Sequence, residues 1–355
     1  MSFQRRLFQS IGLLLLLLLC SFRFPSIAYS QSQKERIEAL EKAMASASQA
    51  YADEMTKLSK SAVVENWYTS LVGWPQPEDS WLSAEYPFEK PDGSEPLKQL
   101  ANRVHLDHPG TIQSGVISLQ QDGVHSAILL DGNNALVFPK SAVFSRTQEF
   151  TICLELKISK QTDRAVVLHR TKTTIADGLI GYEILIEDGR FRFGLIHKQS
   201  SNSICIRCKE KISVAKWMHV ALVYGGTNSA NDTWIYIDGQ KVEREIVHDS
   251  LHNDILDDAD EVPLTIGARQ KDKGVTGLVD QLQVYESALT SIEIAGLVTD
   301  TPLVTWAELS EQQRGLWREH YAKRVDAQCK YHIESFKHYF QSLSEIETKS
   351  RERDK

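Results

Sequence analysis

The chain has 355 residues, with 40 Lys and Arg against 47 Asp and Glu, a formal net charge of −7. An acidic balance of this kind offers no electrostatic footprint for nucleic acid. The length is enough to bury a sizeable core without covalent staples.

The first residues read as an export signal. Arg5 and Arg6 precede an unbroken leucine run, Leu13 to Leu19, and Ala28-Tyr29-Ser30 places small residues around a cleavage point. The apolar stretch from Leu7 to Cys20 contains Gln9 and Ser10 and is shorter than the ~20 residues of a spanning helix. Leu19 is too large for the residue that normally precedes a lipidated cysteine. Residues 1–30 are therefore expected to be a signal peptide cleaved after Ser30, which sends the chain to a periplasmic or extracellular compartment with no membrane span left. Cleavage removes Arg5, Arg6 and Arg23 and no acid, leaving 37 basic against 47 acidic residues, a net charge of −10. Cys153, Cys205, Cys208 and Cys329 remain. Export permits disulfides, four cysteines allow three full pairings, and the pairing stays open.

The rest of the chain falls into three zones. From 31 to 72 it reads as helix, with Ile37, Leu40, Met44, Ala47, Tyr51, Met55 and Leu58 on one stripe at steps of three and four. Residues 73–103 carry Pro75, Pro77, Pro87, Pro91 and Pro96 with Asp92-Gly93, a linker no helix can cross. Its Trp74, Trp81 and Tyr86 point to packing against something. From 104 to 298 the period changes to two, in short apolar runs broken by Gly, Asn and Asp. Asp188-Gly189 between two such runs is a type I′ hairpin signal, and Asp238-Gly239 ends another run. Many short strands without intervening helices mean a sandwich or barrel. Residues 305–349 return to helix, with Phe336, Phe340, Leu343 and Ile346 in the stripe, and 350–355 form a charged tail expected to fray. The two terminal helical zones are expected to pair as an antiparallel coiled coil, since the N-terminal stripe is marginal alone.

The strands carry a set of motifs in a telling order. Ala127-Ile-Leu-Leu-Asp-Gly132 and Leu136-Val-Phe-Pro-Lys-Ser141 come first, then Glu149-Phe-Thr-Ile-Cys-Leu154. Lys216-Trp-Met-His-Val-Ala-Leu-Val-Tyr224, Trp234-Ile-Tyr-Ile-Asp-Gly239, Pro263-Leu-Thr-Ile-Gly-Ala-Arg269 and Gly277-Leu-Val-Asp-Gln-Leu-Gln-Val-Tyr285 follow. In this order they resemble LamG-like (laminin G-like) jelly-roll domains. The resemblance implies a mainly β fold, the concanavalin A-like sandwich of two antiparallel sheets, flanked here by N- and C-terminal α-helices. The flanks, including Glu311-Gln-Gln-Arg-Gly-Leu-Trp-Arg-Glu-His-Tyr321, look like the LamG-containing central region of planctomycete cytochrome c-domain proteins. No C-x-x-C-H occurs, so the haem part is missing and no haem is expected.

The resemblance also suggests a metal. Related sandwiches often hold calcium at the sheet edge through an aspartate at the place of Asp280, with oxygens from the early Asp-Gly segment, which makes Asp131 the matching partner. Gln281 stands where the family often has a second acid. Calcium takes six to eight oxygens, so two acids are only a start. The acidic run Asp254, Asp257, Asp258, Asp260 and Glu261 lacks EF-hand spacing and reads as a solvated loop.

Other constellations are bland. Cys205-Ile-Arg-Cys208 spells C-x-x-C, but on a strand the two cysteines lie on opposite faces, with Cys208 expected in the core and Cys205 exposed. Glycosidases of this fold keep an E-x-D-x-x-E strand, and no complete copy occurs. Glu183 and Glu187 share one strand face, as expected of a solvated surface. His219 shares a face with Ala221 and Val223 and is expected to be packed and hydrogen-bonded. No catalytic residue or organic cofactor emerges. The reading is an exported, non-catalytic binding module for an extracytoplasmic glycan or protein. The alternative is a structural subunit docked through its terminal helices into a larger exported assembly, and a degenerate glycosidase-like enzyme is a third reading. A cluster of exposed Trp or Tyr on one sheet face, with Asn and Asp nearby, would favour sugar binding; bare apolar stripes on the helices would favour assembly.

Overall fold

The computed structural model describes residues 29–89, 99–114, 118–174, 178–198, 201–256, 261–269 and 272–353. The signal segment up to Ala28, the linker residues Pro91, Asp92-Gly93 and Pro96, and the acids Asp257, Asp258 and Asp260 lie outside the described residues. The chain divides into two compact units, one built from Met1–Pro75, Thr290–Ile292 and Asp300–Lys355, the other from Gln76–Leu289 and Glu293–Thr299.

The first unit is helical. Helix α1 (Gln31–Lys60) starts at Ser30, whose hydroxyl accepts from the Gln33 backbone while the Gln33 side chain returns to the Ser30 N–H. This reciprocal cap satisfies two of the amides that a helix start leaves open. The helical zone does not run unbroken to residue 72: α1 ends where Ser61 turns to an extended conformation, and a short α2 (Val63–Thr69) follows. Ile37, Met44 and Ala47 of α1 pack with Phe336, Phe340, Leu343 and Ile346 of the C-terminal helix, Ala327–Arg353. Farther along, Tyr51, Met55 and Leu58 meet Cys329 and Ile333. The early residues of one helix thus face the late residues of the other, and Gln33 donates to Ser350 at the far end, 3.2 Å. The last helix extends to Arg353. An aromatic cluster joins α2 to helix Glu311–Arg324: Tyr68 meets Trp317 edge-on at 4.7 Å, and Trp67 and Trp74 also contact Trp317.

The second unit is a sandwich of two antiparallel sheets. One contains β1 (Leu82–Tyr86), β4 (Leu119–Asp122), β5 (His125–Asp131), β7 (Phe150–Ile158), β12 (Trp217–Tyr224), β13 (Thr233–Ile237), β14 (Gln240–Lys241) and β17 (Thr276–Tyr285). Its order is β14-β13-β12-β7-β17-β5-β4, with β1 also paired to β17. The other runs β15-β11-β10-β9-β8-β16-β6-β3-β2. These strands are β2 (Gln99–Leu100), β3 (Gly110–Ser114), β6 (Ala135–Phe138), β8 (Arg164–Thr174), β9 (Gly178–Glu187), β10 (Arg190–Lys198), β11 (Asn202–Cys208), β15 (Arg244–Asp249) and β16 (Leu264–Gly267). Alternate residues such as Ile152, Leu154 and Leu156 of β7 and Phe191, Phe193 and Leu195 of β10 fill the space between the sheets. The hairpin signals hold: Asp188 and Gly189 both take positive φ (51° and 71°), as do Asp238 and Gly239 (48° and 76°). The sandwich begins earlier than the period-two pattern suggested, because β1 and β2 come from the proline-rich segment. Leu82-Ser-Ala-Glu-Tyr86 lies between Pro77 and Pro87, so its own amides remain available to the ladder.

Two expectations about exposure need correction. Cys205 is buried, not exposed. It lies on the outer face of β11 opposite Gly194, and the Arg192 side chain is hydrogen-bonded to its sulfur. Glu183 does not face solvent either, being 1% exposed. Arg192 donates to one of its oxygens (3.2 Å) and Arg269 to the other (2.5 Å), while Arg269 also holds Asp272. All four described cysteines are free thiols.

Phe340 sits at the centre of the α1 pairing, nearly inaccessible. Phe340→Ala should cost about 3–5 kcal/mol of the helical unit's stability, read as an earlier loss of far-ultraviolet circular dichroism in urea.

Candidate functional site

The site is set by an exchange of partners along β17. One edge of that strand pairs with β7 throughout. On the other edge Thr276 to Val279 pair with β5, whereas Leu282 to Tyr285 pair with β1. Between the two segments the ladder with β7 slips at Gln281, which takes φ 46° as the extra residue of a bulge. The early part of β5, with β4 paired to it, is thereby released from the sheet plane.

The released hairpin folds back over the outer face of its own sheet. In a flat sheet β4 and β12 would stand four strand spacings apart, about 19 Å. Yet Asp122 at the end of β4 accepts from the Trp217 indole of β12 (3.0 Å) and from Lys157 of β7 (2.5 Å). His125, just past the turn, stacks on Trp217 with ring centroids 3.9 Å apart and reaches Asp280 through Nδ1 at 3.1 Å.

Beneath the hairpin tip lies a row of polar side chains from three adjacent strands. His219 is opposite Glu155, and Glu155 is opposite Asp280. Directly opposed residues in such a ladder hold their β-carbons about 5 Å apart. Asp280 is 3% exposed, and burial raises its carboxyl above the usual aspartate range despite the hydrogen bonds from His125 and the Gln281 amide. Burial likewise raises Glu155, with Asp238 and Asp280 adding repulsion and His125 opposing it. Burial pushes His219 down from 6.5 to about 4, so its imidazole is neutral at physiological pH. Its backbone N–H donates to Asp238 (3.0 Å), but its ring Nδ1 has no protein partner. His219 is thus packed as expected, while its ring nitrogen lacks the hydrogen bond expected of it. Two adjacent carboxyl groups that retain protons unusually well, a neutral imidazole and a half-buried indole can together exchange hydrogen bonds with hydroxyl groups and cover an apolar ring face.

Asp280 and Asp131 do not meet in one calcium site. Asp131 pairs with Thr276, four residues along β17 from Asp280, about 13 Å away by strand rise. Two ligands of one calcium ion lie within about 5 Å of each other, given bonds of about 2.3–2.6 Å. The Asp131 carboxylate instead accepts from the amides of Asn133 (2.7 Å) and Asn134 (2.9 Å), which hold it below the usual range and close the turn after β5. The described side chains beside Asp280 are the His125 imidazole and, across the ladder, Glu155, and an imidazole is not among the oxygen ligands that calcium takes.

Sequence reasoning singled out Asp280 and His219 but not Asp122, His125, Glu155, Lys157 or Trp217. A signal existed for Glu155, the one acid of β7, on the face that alternates with Ile152, Leu154 and Leu156. The part played by Asp122 and His125 depends on a fold-back that no local pattern reports. The other sandwich tryptophans are occupied. Trp81 packs in an apolar cluster on the same outer face, with Tyr285, Leu289 and Ile294. Lys241 and Arg244 lie over the Trp234 ring at 3.3 and 3.2 Å.

With this geometry in place, the sandwich can be set beside known proteins. Residues 130–295 match the model of the family described as the concanavalin A-like lectin/glucanases superfamily. No curated protein matches the chain. Among solved structures it is similar to domain 4 of AbnA, a GH43 extracellular arabinanase from Geobacillus stearothermophilus, in complex with arabinotriose, at 22% identity and TM-score 0.48, covering 62% of this chain and 98% of that one. It is also similar to the binding domain of Paraclostridial Mosquitocidal Protein 1, at 17% identity and TM-score 0.45, covering 62% of this chain and 52% of the other. A third likeness is to the receptor binding domain of botulinum neurotoxin D, at 13% identity and TM-score 0.43, over 61% and 52%. Likenesses of this size do not define a ligand. No described helix is long and apolar enough to cross a membrane.

The His219 imidazole gives the site a pH dependence of known sign. In the unfolded chain it takes up a proton near pH 6.5, in the folded chain only near 4. Its contribution to stability is therefore complete above about pH 6.5 and is lost as the pH falls toward 4, by an amount on the order of 3 kcal/mol. Urea titrations of wild type and His219→Gln between about pH 7 and pH 4 should show the smaller slope in the variant.

Proposed function

We propose that the sandwich is an exported, non-catalytic module that binds an extracytoplasmic glycan at the face covered by the β4–β5 hairpin. The observation that carries this reading is the Trp217–His125 stack rimmed by Asp122, Lys157 and Glu155. A pyranose or furanose ring presents an apolar CH face and an equator of hydroxyls. The aromatic pair supplies a surface for the first, and the mixed donors and acceptors around it serve the second. The match of residues 130–295 to a lectin and glucanase superfamily supports the same class of ligand. The start of the chain, with its charge, leucine run and small residues, supports export. What weighs against the assembly alternative is that the apolar stripes of α1 and the C-terminal helix are packed on each other.

The cross-strand pair Glu155 and Asp280 is the one feature a hydrolase would share. Release of reducing ends from a bound glycan would replace the binding reading with a catalytic one. The direct test is a glycan array probed with the folded protein, followed by calorimetry on the best ligand. Trp217→Ala should weaken that binding by about 30-fold, the equivalent of about 2 kcal/mol for a central aromatic anchor. Trp234→Ala, whose ring is already covered by two cations, should leave it unchanged. Equal affinity of wild type and Trp217→Ala would exclude this face.

A further inference from the structure

The turn between β2 and β3 carries three potential metal ligands: His105, Asp107 and His108. The His108 amide donates to the His105 carbonyl at 3.0 Å, closing a four-residue turn that brings its first and last residues together. Leu106, the second residue, is 81% exposed and takes no part. The ring centroids of the two histidines are 5.4 Å apart, and Asp107 approaches His108 Nε2 at 3.4 Å. One ligand atom from each of the three lies within 4.8 Å of the others, the only such group among the described residues.

The turn is held in place by groups buried beneath it. Asn102, 1% exposed, accepts through Oδ1 from the backbone N–H of Glu85, Val104 and His105 and donates through Nδ2 to the Tyr86 hydroxyl. The Tyr86 hydroxyl in turn donates to the His108 carbonyl at 2.8 Å and lies 2.8 Å from Ser141 Oγ. Both ends of the turn are thus pinned to β1 through a buried polar network. The three side chains start close together, so ligation has less entropy to overcome.

We propose that His105, Asp107 and His108 form a binding site for a divalent transition metal of the zinc type. Two imidazoles and one carboxylate suit zinc, nickel or copper and do not suit calcium or magnesium, which take oxygen ligands. A zinc ion at about 2.0–2.2 Å from each ligand needs ligand atoms about 3.3–3.5 Å apart, a small contraction from the spacing present. Because the turn is at the surface, the remaining coordination positions are open to water or to a donor from another molecule. This site is separate from the glycan face and does not depend on it.

The test is calorimetric titration of chelator-treated full-length protein with Zn²⁺, alongside Co²⁺ as a spectroscopic probe. One equivalent of Zn²⁺ should bind, and His105→Ala and His108→Ala should each weaken it at least tenfold and abolish the visible Co²⁺ bands. His338→Ala, which removes an exposed histidine of the C-terminal helix, should change neither. The side chains replaced are at the surface, so unchanged melting temperatures will show that both variants are folded. No zinc uptake, or uptake that survives both substitutions, overturns the proposal.

Discussion

A strand edge can pair with only one neighbour at each residue, and β17 has two claimants for the same edge. Its amides and carbonyls from Thr276 to Val279 are taken by β5, and those from Leu282 to Tyr285 by β1. Buried backbone groups must be paired, so where β1 enters, β5 must leave. The bulge at Gln281 marks the handover. Once β5 has left the plane, the β4–β5 hairpin bends back over the sheet, and the contacts of Asp122 and His125 with Trp217, Lys157 and Asp280 follow. The polar row His219–Glu155–Asp280 exists in a buried setting only because that hairpin covers it. The other half of the same outer face is covered by apolar residues, among them Leu289 and Ile294, and carries no such chemistry.

Much of the architecture was legible in the sequence because it rests on local periodicity. The alternation in Phe150-Thr-Ile-Cys-Leu-Glu-Leu156 places Ile152 and Leu154 inside, and Asp188-Gly189 needs only its own two positive φ angles. The seven-residue spacing of Ile37, Met44 and Tyr51, two helical turns at a step, marks a buried stripe whichever partner covers it. The site was less legible for a matching reason. Asp280 could be noticed as an acid in an apolar strand, but its partner His125 lies 155 residues away and reaches it through a fold-back. Glu183 was misread because alternation says which face a residue takes, not what covers that face. Arg269, which buries it, comes from a loop 86 residues later. The expected link between Asp280 and Asp131 failed on register: both belong to paired strands, but at positions four residues apart.

The outer face of the second sheet shows a different solution to polar burial. Glu183, Arg192, Arg269 and Asp272 form a connected set in which each carboxylate meets a guanidinium. Such sets are costly to disrupt at one member and add little stability as a whole. Here they tie β9, β10 and the loop after β16 to one another. Among the described residues, Glu155 on the hairpin face has no guanidinium partner of this kind, and of its neighbours only His125 opposes the effect of burial on its carboxyl.

The four buried thiols have a consequence of their own. Only a thiolate reacts readily, and burial pushes Cys153, Cys205, Cys208 and Cys329 all upward, Cys208 and Cys329 to about 12. Each stands in a different place: Cys153 on the outer face of the first sheet, Cys205 on that of the second, Cys208 between the sheets, and Cys329 among the helices. Alkylation can reach any of them only when that neighbourhood opens. The chain therefore contains its own set of position-resolved clocks, and the order in which the four are modified under mild denaturant would record the order in which its parts come undone.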